Sequence, residues 1–213
     1  MTTKLKTICD FYAITHKLKE LLRIGPKVWQ IDAERFESVA EHIYGTQMLA
    51  LAISSEFEWG GADIGKVCLM LSCHELGETI IGDLPVVGRK VSGEQKHDLE
   101  REAIEEILAP LTGGELVKNL WLEFEENKTK EAKFARFVDK LECDFQIKFY
   151  DETGCADIDK PRTGDFARLI AEGKAKGFET FSKMWIEYDK QHFAFDELFS
   201  SIADFVAEEK IFT

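Results

Sequence analysis

The sequence predicts an all-α fold, and three observations support this prediction. Apolar residues recur at helical spacing through most of the 213 residues. The segment 63–81 is apolar on almost every side, which is typical of a helix in the middle of a bundle. The alternation of apolar and polar residues that marks a half-buried strand does not occur along the sequence. We therefore expect a single-domain helical bundle that surrounds one deeply buried segment.

Each predicted helix is supported by its own pattern. A first helix ends before Gly25-Pro26, and its apolar face consists of Leu5, Ile8, Tyr12, Thr15, Leu18 and Leu22. A second helix begins at Ser38, which forms a capping box with Glu41, and runs to about residue 57. The apolar segment 63–81 is the third helix. Later helices are expected at about 94–108, 115–126 and 129–150, the last capped by Thr129.

The C-terminal third of the chain has weaker patterns. DETGCADIDKPRTGD, residues 151–165, is the one long loop candidate, and a shorter polar loop follows Pro85. Two or three phenylalanine-rich helices come after residue 165, and their aromatic residues indicate either core packing or the seam of a homodimer. We expect one domain over residues 1–213, with a core of about 15–150 and the helices of 155–213 packed on it.

Composition restricts the class of function. Lysine and arginine number 27 against 40 acidic residues, so the net charge of −13 disfavours duplex nucleic acid and anionic membranes as partners. A small anionic substrate remains compatible, because a metal ion and one arginine can reverse the field locally. Five scattered cysteines with no CxxC pair, no signal peptide and no membrane-length apolar run indicate a cytoplasmic protein.

Ionisable residues interrupt the most apolar segment. HELGETIIGDLP begins at His74 and contains Glu75 and Glu78, which on a continuous helix would all point into one sector. Burial of such groups is costly unless they are paired or bound to a metal. The alternative is a core histidine whose acidic neighbours reach a helix end or pair with a lysine or arginine.

Two more candidate ligands lie on other predicted helices. His42 stands in the first turn of the second helix, and Asp139 lies between apolar residues in ARFVDKLECDF. For Asp139 the alternative is an ion pair with Arg136 or Lys140. Two imidazoles and two carboxylates form a mixed nitrogen and oxygen set, which suits Mn²⁺, Fe²⁺, Co²⁺, Ni²⁺ or Zn²⁺ better than Ca²⁺.

Three segments together resemble the HD-domain phosphohydrolases, and most closely their 5′-deoxynucleotidase branch. The segments are ESVAEH ending at His42, HELGETIIGDLP beginning at His74, and DKLE beginning at Asp139. The resemblance covers about residues 15 to 150. It implies an α-helical bundle around one divalent metal ion (Mn, Co, Fe, Zn, Ni or Mg), with His42, His74, Glu75 and Asp139 as the ligands.

The resemblance also implies roles around the metal. Glu78 would help to activate the attacking water, Asp83 would contact the sugar, and Arg23 would face the phosphate. The chain departs from the family at two positions: Glu75 replaces the aspartate of the histidine–aspartate pair, and Pro26 stands where a tryptophan usually follows the arginine. Outside this set, His16, His97 and His192 are interpreted as structural, and Lys96 as a solvated lysine rather than one that screens a phosphate.

The expected function is a 5′-nucleotidase that releases phosphate from (deoxy)nucleoside monophosphates. One alternative is another HD-type hydrolase, acting on alarmones or other small phosphoesters. Another is a non-catalytic regulator that binds nucleotide or metal and has lost turnover through Glu75. Retention of Glu78, Asp83 and Arg23 argues against the regulator, because a binding protein needs no acid to activate water.

Overall fold

The computed structural model describes residues 1–84 and 93–212, apart from the side chain of Glu94. Every regular element in these residues is helical, and the one β-type pairing among them is an isolated antiparallel bridge between Leu22 and Ser38. The prediction of an all-α fold is therefore confirmed. The polar loop predicted after Pro85 lies outside the described residues.

The helices follow one another through nearly the whole described chain. In order they are α1 (Thr2–Thr15), a 3₁₀ turn (His16–Lys19), α2 (Gly25–Val28), α3 (Val39–Glu56), α4 (Ile64–Cys73), α5 (Glu78–Ile81), α6 (Gly93–Leu108), α7 (Gly114–Glu126), α8 (Lys130–Glu152), α9 (Gly164–Ala175), α10 (Phe181–Asp189), a second 3₁₀ turn (Lys190–His192) and α11 (Glu197–Glu208). None of the helices is both long and apolar enough to cross a membrane, within the described ranges.

The chain divides into two compact units. The first contains Met1–Ile24 and Glu37–Val138, and the second contains Gly25–Phe36 and Asp139–Thr213. The boundary after Val138 falls inside α8, so one continuous helix supplies residues to both units. The prediction of a single domain over the whole chain stays a prediction.

In the first unit, α3, α4, α6 and α7 pack around a core of large apolar side chains. Val67, Met70 and Leu71 of α4 are completely buried, as the apolar pattern of the third predicted helix requires. Burial of each such side chain stabilises the fold by about 1.5–3 kcal/mol. The start of α3 has the predicted capping box, because Ser38 and Glu41 each accept a hydrogen bond from the other's backbone N–H.

The first predicted helix differs from expectation in length and in burial. It ends at Thr15, and a 3₁₀ turn follows where one continuous helix was predicted. Its proposed apolar face is solvent-exposed at Leu5, Ile8 and Tyr12, and α1 buries no residue completely. The periodicity identified a helix correctly, but of its apolar face only Leu18 is buried.

The second unit has an aromatic core. Trp29 packs edge-to-face against Phe166 and Trp185, with ring centroids 4.8 and 5.2 Å apart. In the C-terminal tail, Phe193 and Phe199 are fully buried, whereas Phe195 and Phe205 are 79% and 62% exposed. The phenylalanine-rich tail therefore contributes to the core through part of its aromatic residues only.

Candidate metal and substrate site

The segment that contains His74 and Glu75 is a turn between two helices. Helix α4 ends at Cys73, residues 74–77 form turns, and α5 begins at Glu78. The N–H groups of Leu76 and Glu78 donate to the carbonyls three residues earlier, each at 3.1 Å, so the backbone is wound more tightly than an α-helix. The prediction of one continuous helix over 63–81 is wrong at this turn.

Gly77 provides the physical reason for the break. A Cβ at this position would lie 3.3 Å from the carbonyl oxygen of Glu100 in α6, so the absence of a side chain allows the two backbones to approach closely. Glycine also costs about 1 kcal/mol in a helix interior. The helical angles that placed His74 and Glu78 on one face therefore do not apply, and the structure itself gives their positions.

Three of the four predicted ligands lie together in the first unit. Ligand atoms of His42, His74 and Glu75 are all within 4.8 Å of one another. The two imidazole rings are 5.5 Å apart between centroids, and Oε1 of Glu75 is 3.6 Å from Nε2 of His74. Two donors bound to a common ion are separated by up to about 4 Å, so this group needs little adjustment to hold one.

The orientation of His74 is suited to metal binding. Its Nδ1 lies 2.8 Å from the backbone carbonyl oxygen of Leu71, and since a carbonyl can only accept, Nδ1 carries the proton. Nε2 then has a lone pair directed towards Glu75 and His42. Backbone contacts of this kind fix the tautomer and orientation of metal-binding histidines. The residues in the first unit therefore fit a divalent metal ion.

Asp139, the fourth predicted ligand, is the residue of α8 that directly follows the first unit. It is buried, and its Oδ2 forms an ion pair of 3.0 Å with Lys140. Arg136 pairs instead with Glu125, at 2.8 Å. The alternative interpretation from sequence, an ion pair with Lys140, is thus realised, and because it engages Oδ2 it does not exclude a metal bond through Oδ1.

The surroundings of Glu78 strongly perturb its pKa. It is 3% exposed, and its Oε2 has no hydrogen-bond partner among the residues that the structure describes. Burial raises the pKa of Glu78 to about 11; the carboxylates of Glu75 and Asp83 add to this rise, while Lys96 and Arg23 oppose it. In the absence of a metal ion, Glu78 is therefore a neutral carboxylic acid at physiological pH.

The antiparallel bridge between Leu22 and Ser38 places Arg23 next to this site. The Arg23 N–H donates to the Glu37 carbonyl at 2.9 Å, and the Glu37 carboxylate lies 3.7 Å from the Arg23 Nε. On its other side, Arg23 Nη1 is 3.8 Å from Oε1 of Glu75. The guanidinium therefore lies beside a candidate metal ligand and is oriented by a second acid.

Asp83 has a contact that the sequence did not suggest. Its Oδ2 accepts a hydrogen bond of 2.6 Å from the backbone N–H of Ile24, the residue after Arg23. Asp83 thus holds in place the segment that carries the arginine. Its contact with a sugar stays a prediction.

Every ionisable residue of this group except Glu37 and Lys96 was predicted from the sequence as part of the site. Glu37 lies in the quoted ESVAEH segment, but nothing in its pattern indicated a pair with Arg23, since a backbone bridge brings the two together. The Leu71 carbonyl could not be found either, because every residue has one. Lys96 was interpreted as solvated, whereas it is largely buried on α6, with its side chain 23% exposed.

Comparisons with known proteins agree with this geometry. Residues 15–182 match the family model described as HD domain. The protein named 5′-deoxynucleotidase HDDC2 from Dictyostelium discoideum is 35% identical over 150 residues, which cover 67% of this chain and 77% of that protein. The 5′-deoxynucleotidase hdd1 from Schizosaccharomyces pombe is 31% identical over 181 residues, which cover 81% of this chain and 86% of that protein.

Solved structures give the same fold. The crystal structure of the PH0347 protein from Pyrococcus horikoshii OT3 aligns with a TM-score of 0.62 at 21% identity, over 93% of this chain and 98% of that one. A predicted metal-dependent phosphohydrolase from Magnetospirillum magnetotacticum aligns with a TM-score of 0.59 at 20% identity, over 96% and 94%. From the family match, the identity to its relatives and the all-helical fold, we conclude that this chain belongs to the HD domain family, in its 5′-deoxynucleotidase branch.

Proposed function

We infer that this protein is a metal-dependent phosphohydrolase that releases phosphate from nucleoside 5′-monophosphates. The observation that carries the inference is the buried group of His42, His74 and Glu75, with Arg23 Nη1 only 3.8 Å from Oε1 of Glu75. A site for a divalent cation and a guanidinium are thereby adjacent, which is what a phosphate dianion requires. The names of the relatives favour deoxyribonucleotides among such substrates.

We propose His42, His74, Glu75 and Asp139 as the metal ligands. The fixed tautomer of His74 and the burial of Asp139 support this set. A divalent ion bound there would neutralise charge on the phosphoryl oxygens, lower the pKa of a bound water and favour the ionised form of Glu78. Glutamate in place of aspartate at position 75 offers the same type of oxygen on a stem one methylene longer.

The side chains around the metal would then have separate roles in hydrolysis. Arg23 binds two phosphoryl oxygens through its planar fork, in an orientation that Glu37 maintains. Water attacks phosphorus as the bond to the 5′-oxygen breaks. The carboxylate of Glu78 accepts a proton from that water and passes it to the departing 5′-oxygen, so that the nucleoside leaves as an alcohol. Asp83 is proposed to contact the sugar, in addition to holding the backbone of Ile24.

Measurement of phosphate release tests this function. The protein, freed of metal by a chelator, is assayed with Mn²⁺, Co²⁺ and Mg²⁺ in turn, using ribo- and deoxyribonucleoside 5′-monophosphates and their 3′-isomers. We expect release from 5′-monophosphates only in the presence of metal. Release from alarmones or other phosphoesters alone would identify a different HD-type hydrolase. Nucleotide binding without release under any of these metals would instead identify a regulator.

We also propose that the protein is a cytoplasmic homodimer that does not bind nucleic acid. Tyr44, Met48 and Leu51 form an exposed apolar stripe along one face of α3, at helical spacing, and are 64%, 41% and 46% exposed. Light scattering should report twice the chain mass, and Met48→Glu should lower it. Leu116→Glu, on an exposed residue of α7, is the matched control and should leave the mass unchanged. Cell fractionation tests the location, and the net charge of −13 argues against nucleic acid as a partner.

A further inference from the structure

Lys96 occupies an unusual position for a lysine. It lies at the end of the first turn of α6, its side chain is only 23% exposed, and its ammonium is 2.9 Å from the carboxylate of Glu100. A lysine normally keeps its ammonium in water, and burial of a charge is costly unless other charges compensate. The surroundings of Lys96 must therefore provide that compensation.

Within α6, only the pair with Glu100 compensates the charge of Lys96. A cation near a helix N-terminus opposes the macrodipole and costs a few tenths of a kcal/mol. The pair with Glu100 has lysine on the N-terminal side, which is the less favourable order for an i, i+4 pair. Lys96 is therefore placed against the preferences of its own helix.

Two acids of the candidate site add to the compensation that Glu100 provides. Gly77 fixes α6 close to the turn that carries Glu75, through its contact with the backbone of Glu100. Burial lowers the pKa of Lys96, but the carboxylates of Glu75, Glu100 and Glu78 raise it further, and the net pKa is above its ordinary value. Lys96 is thus an ammonium cation on α6 that interacts with acids of the site, whereas Arg23 lies in the segment between the first 3₁₀ turn and α2.

The alternative is that Lys96 has a purely structural role. Glu100 belongs to a cluster with His97 and Glu125, whose ligand atoms lie within 4.8 Å of one another. Arg136 neutralises Glu125 at 2.8 Å, and Lys96 could serve only to neutralise Glu100. Such a role would not explain why the Lys96 side chain is only 23% exposed on the part of α6 that lies against Gly77, two residues from Glu75.

We propose that Lys96 is a second cationic contact for the phosphate, and that Glu100 positions it. This inference rests on the proposed function. Once Glu75 is engaged by a metal ion, the ammonium has fewer acids to neutralise and can donate to a phosphoryl oxygen. Two cations from separate elements favour the dianion of a phosphomonoester over the monoanion of a diester. Lys96 would therefore help to select monoesters as well as to bind them.

The test compares Lys96→Met and Lys96→Arg with Lys118→Met. Lys118 is a suitable control because its ammonium also pairs with a glutamate of α6, Glu105, at 2.9 Å. Neither residue of this pair belongs to the candidate site. Loss of a charge-assisted contact predicts a fall in kcat/KM of about 10- to 100-fold for Lys96→Met. Lys96→Arg keeps the charge and should lose less, and Lys118→Met should match the wild type.

A second measurement keeps this inference separable from the proposed function. Inorganic phosphate is titrated into each metal-loaded protein by calorimetry, which needs no turnover. Lys96→Met should weaken phosphate binding by a similar factor while its metal content stays at the wild-type level. Unchanged phosphate affinity, or loss of the metal, would overturn the inference, and a fall in thermal stability alone would establish the structural role. Wild-type protein that binds phosphate through Lys96 but hydrolyses no nucleotide would overturn the proposed function only.

Discussion

Replacement of Glu78 by glutamine should change how stability depends on pH. In the metal-free protein, burial raises the pKa of Glu78 from its ordinary 4.5 to about 11. Between these values the folded chain keeps the proton and the unfolded chain releases it, so wild-type stability falls as pH rises. The loss is about 1.4 kcal/mol per pH unit. Glutamine does not titrate, and this contribution is absent from the variant.

The magnitude follows from the pH interval. From about pH 5.5 to about pH 8.5, Glu78 should lower the free energy of unfolding of the wild type by roughly 4 kcal/mol relative to Glu78→Gln. The cost of burying the amide of the variant is the same at about pH 5.5 and at about pH 8.5, so it cancels when the two pH values are compared. Every other titrating group is common to the two proteins and cancels as well. Urea unfolding of chelator-treated proteins at three pH values measures it.

Glu131→Gln is the matched control. Glu131 is also a buried glutamate of the first unit, but backbone N–H groups, including that of Asp63, outweigh the effect of burial and lower its pKa. It is ionised in both folded and unfolded chains throughout the interval, so its replacement should shift stability by the same amount at each pH. A difference between Glu78→Gln and wild type that does not change with pH would refute the assignment of Glu78 as a neutral buried acid.

Four further outcomes test the roles of the site. Purified His42→Ala and Asp139→Ala should each lose bound metal in elemental analysis, and wild-type content in either would remove that residue from the ligand set. Glu75→Gln should also lose metal, whereas Glu75→Asp should keep it, since both acids offer a carboxylate oxygen. Arg23→Ala should raise KM by about 10- to 100-fold in steady-state assays, the effect of losing a charge-assisted contact, and unchanged kinetics would place the phosphate elsewhere. Asp83→Asn should reduce kcat/KM with metal content unchanged, because it weakens the acceptor of the Ile24 N–H; full activity would contradict a role in substrate binding.

Glu78 is also expected to be essential for turnover. Glu78→Gln should keep its metal and lose about 10²- to 10⁴-fold in rate, the usual contribution of a positioned acid or base. If Glu78→Gln loses its metal while Glu75→Gln retains it, the two roles are reversed. A variant that is more stable at alkaline pH and almost inactive would show that the buried acid is retained for chemistry.

The helical fold and most of the site could be predicted because their determinants are local. Ser38 and Glu41 lie three residues apart, so a capping box is visible in the sequence, and it places His42 in the first turn of α3. His74 and Glu75 stand out because ionisable residues are rare in so apolar a segment. Patterns of this kind depend on neighbours within one or two turns.

What could not be predicted depends on contacts between distant segments. The break after Cys73 lies where α6 approaches Gly77, and the partly buried Lys96 lies on the same part of α6. The pair of Arg23 with Glu37 needs the backbone bridge between their segments. Likewise, the apolar stripe of α1 correctly indicated a helix, but periodicity alone does not reveal what, if anything, covers that stripe.

The bridge between Leu22 and Ser38 has a consequence for how this chain can vary in length. Two backbone hydrogen bonds join the segments on either side of residues 25–36. The Arg23 N–H donates to the Glu37 carbonyl, and the Val39 N–H donates to the Leu21 carbonyl. Since these two segments are hydrogen-bonded to each other, residues inserted into or removed from the stretch between them need not move Arg23 or His42. Longer loops add little closure cost, about 0.6 kcal/mol per doubling. Trp29 packs in the aromatic core of the second unit, so the tolerant positions should be the exposed residues Glu34 and Arg35 rather than those around Trp29. A peptide tag inserted between Glu34 and Arg35 should leave catalysis intact.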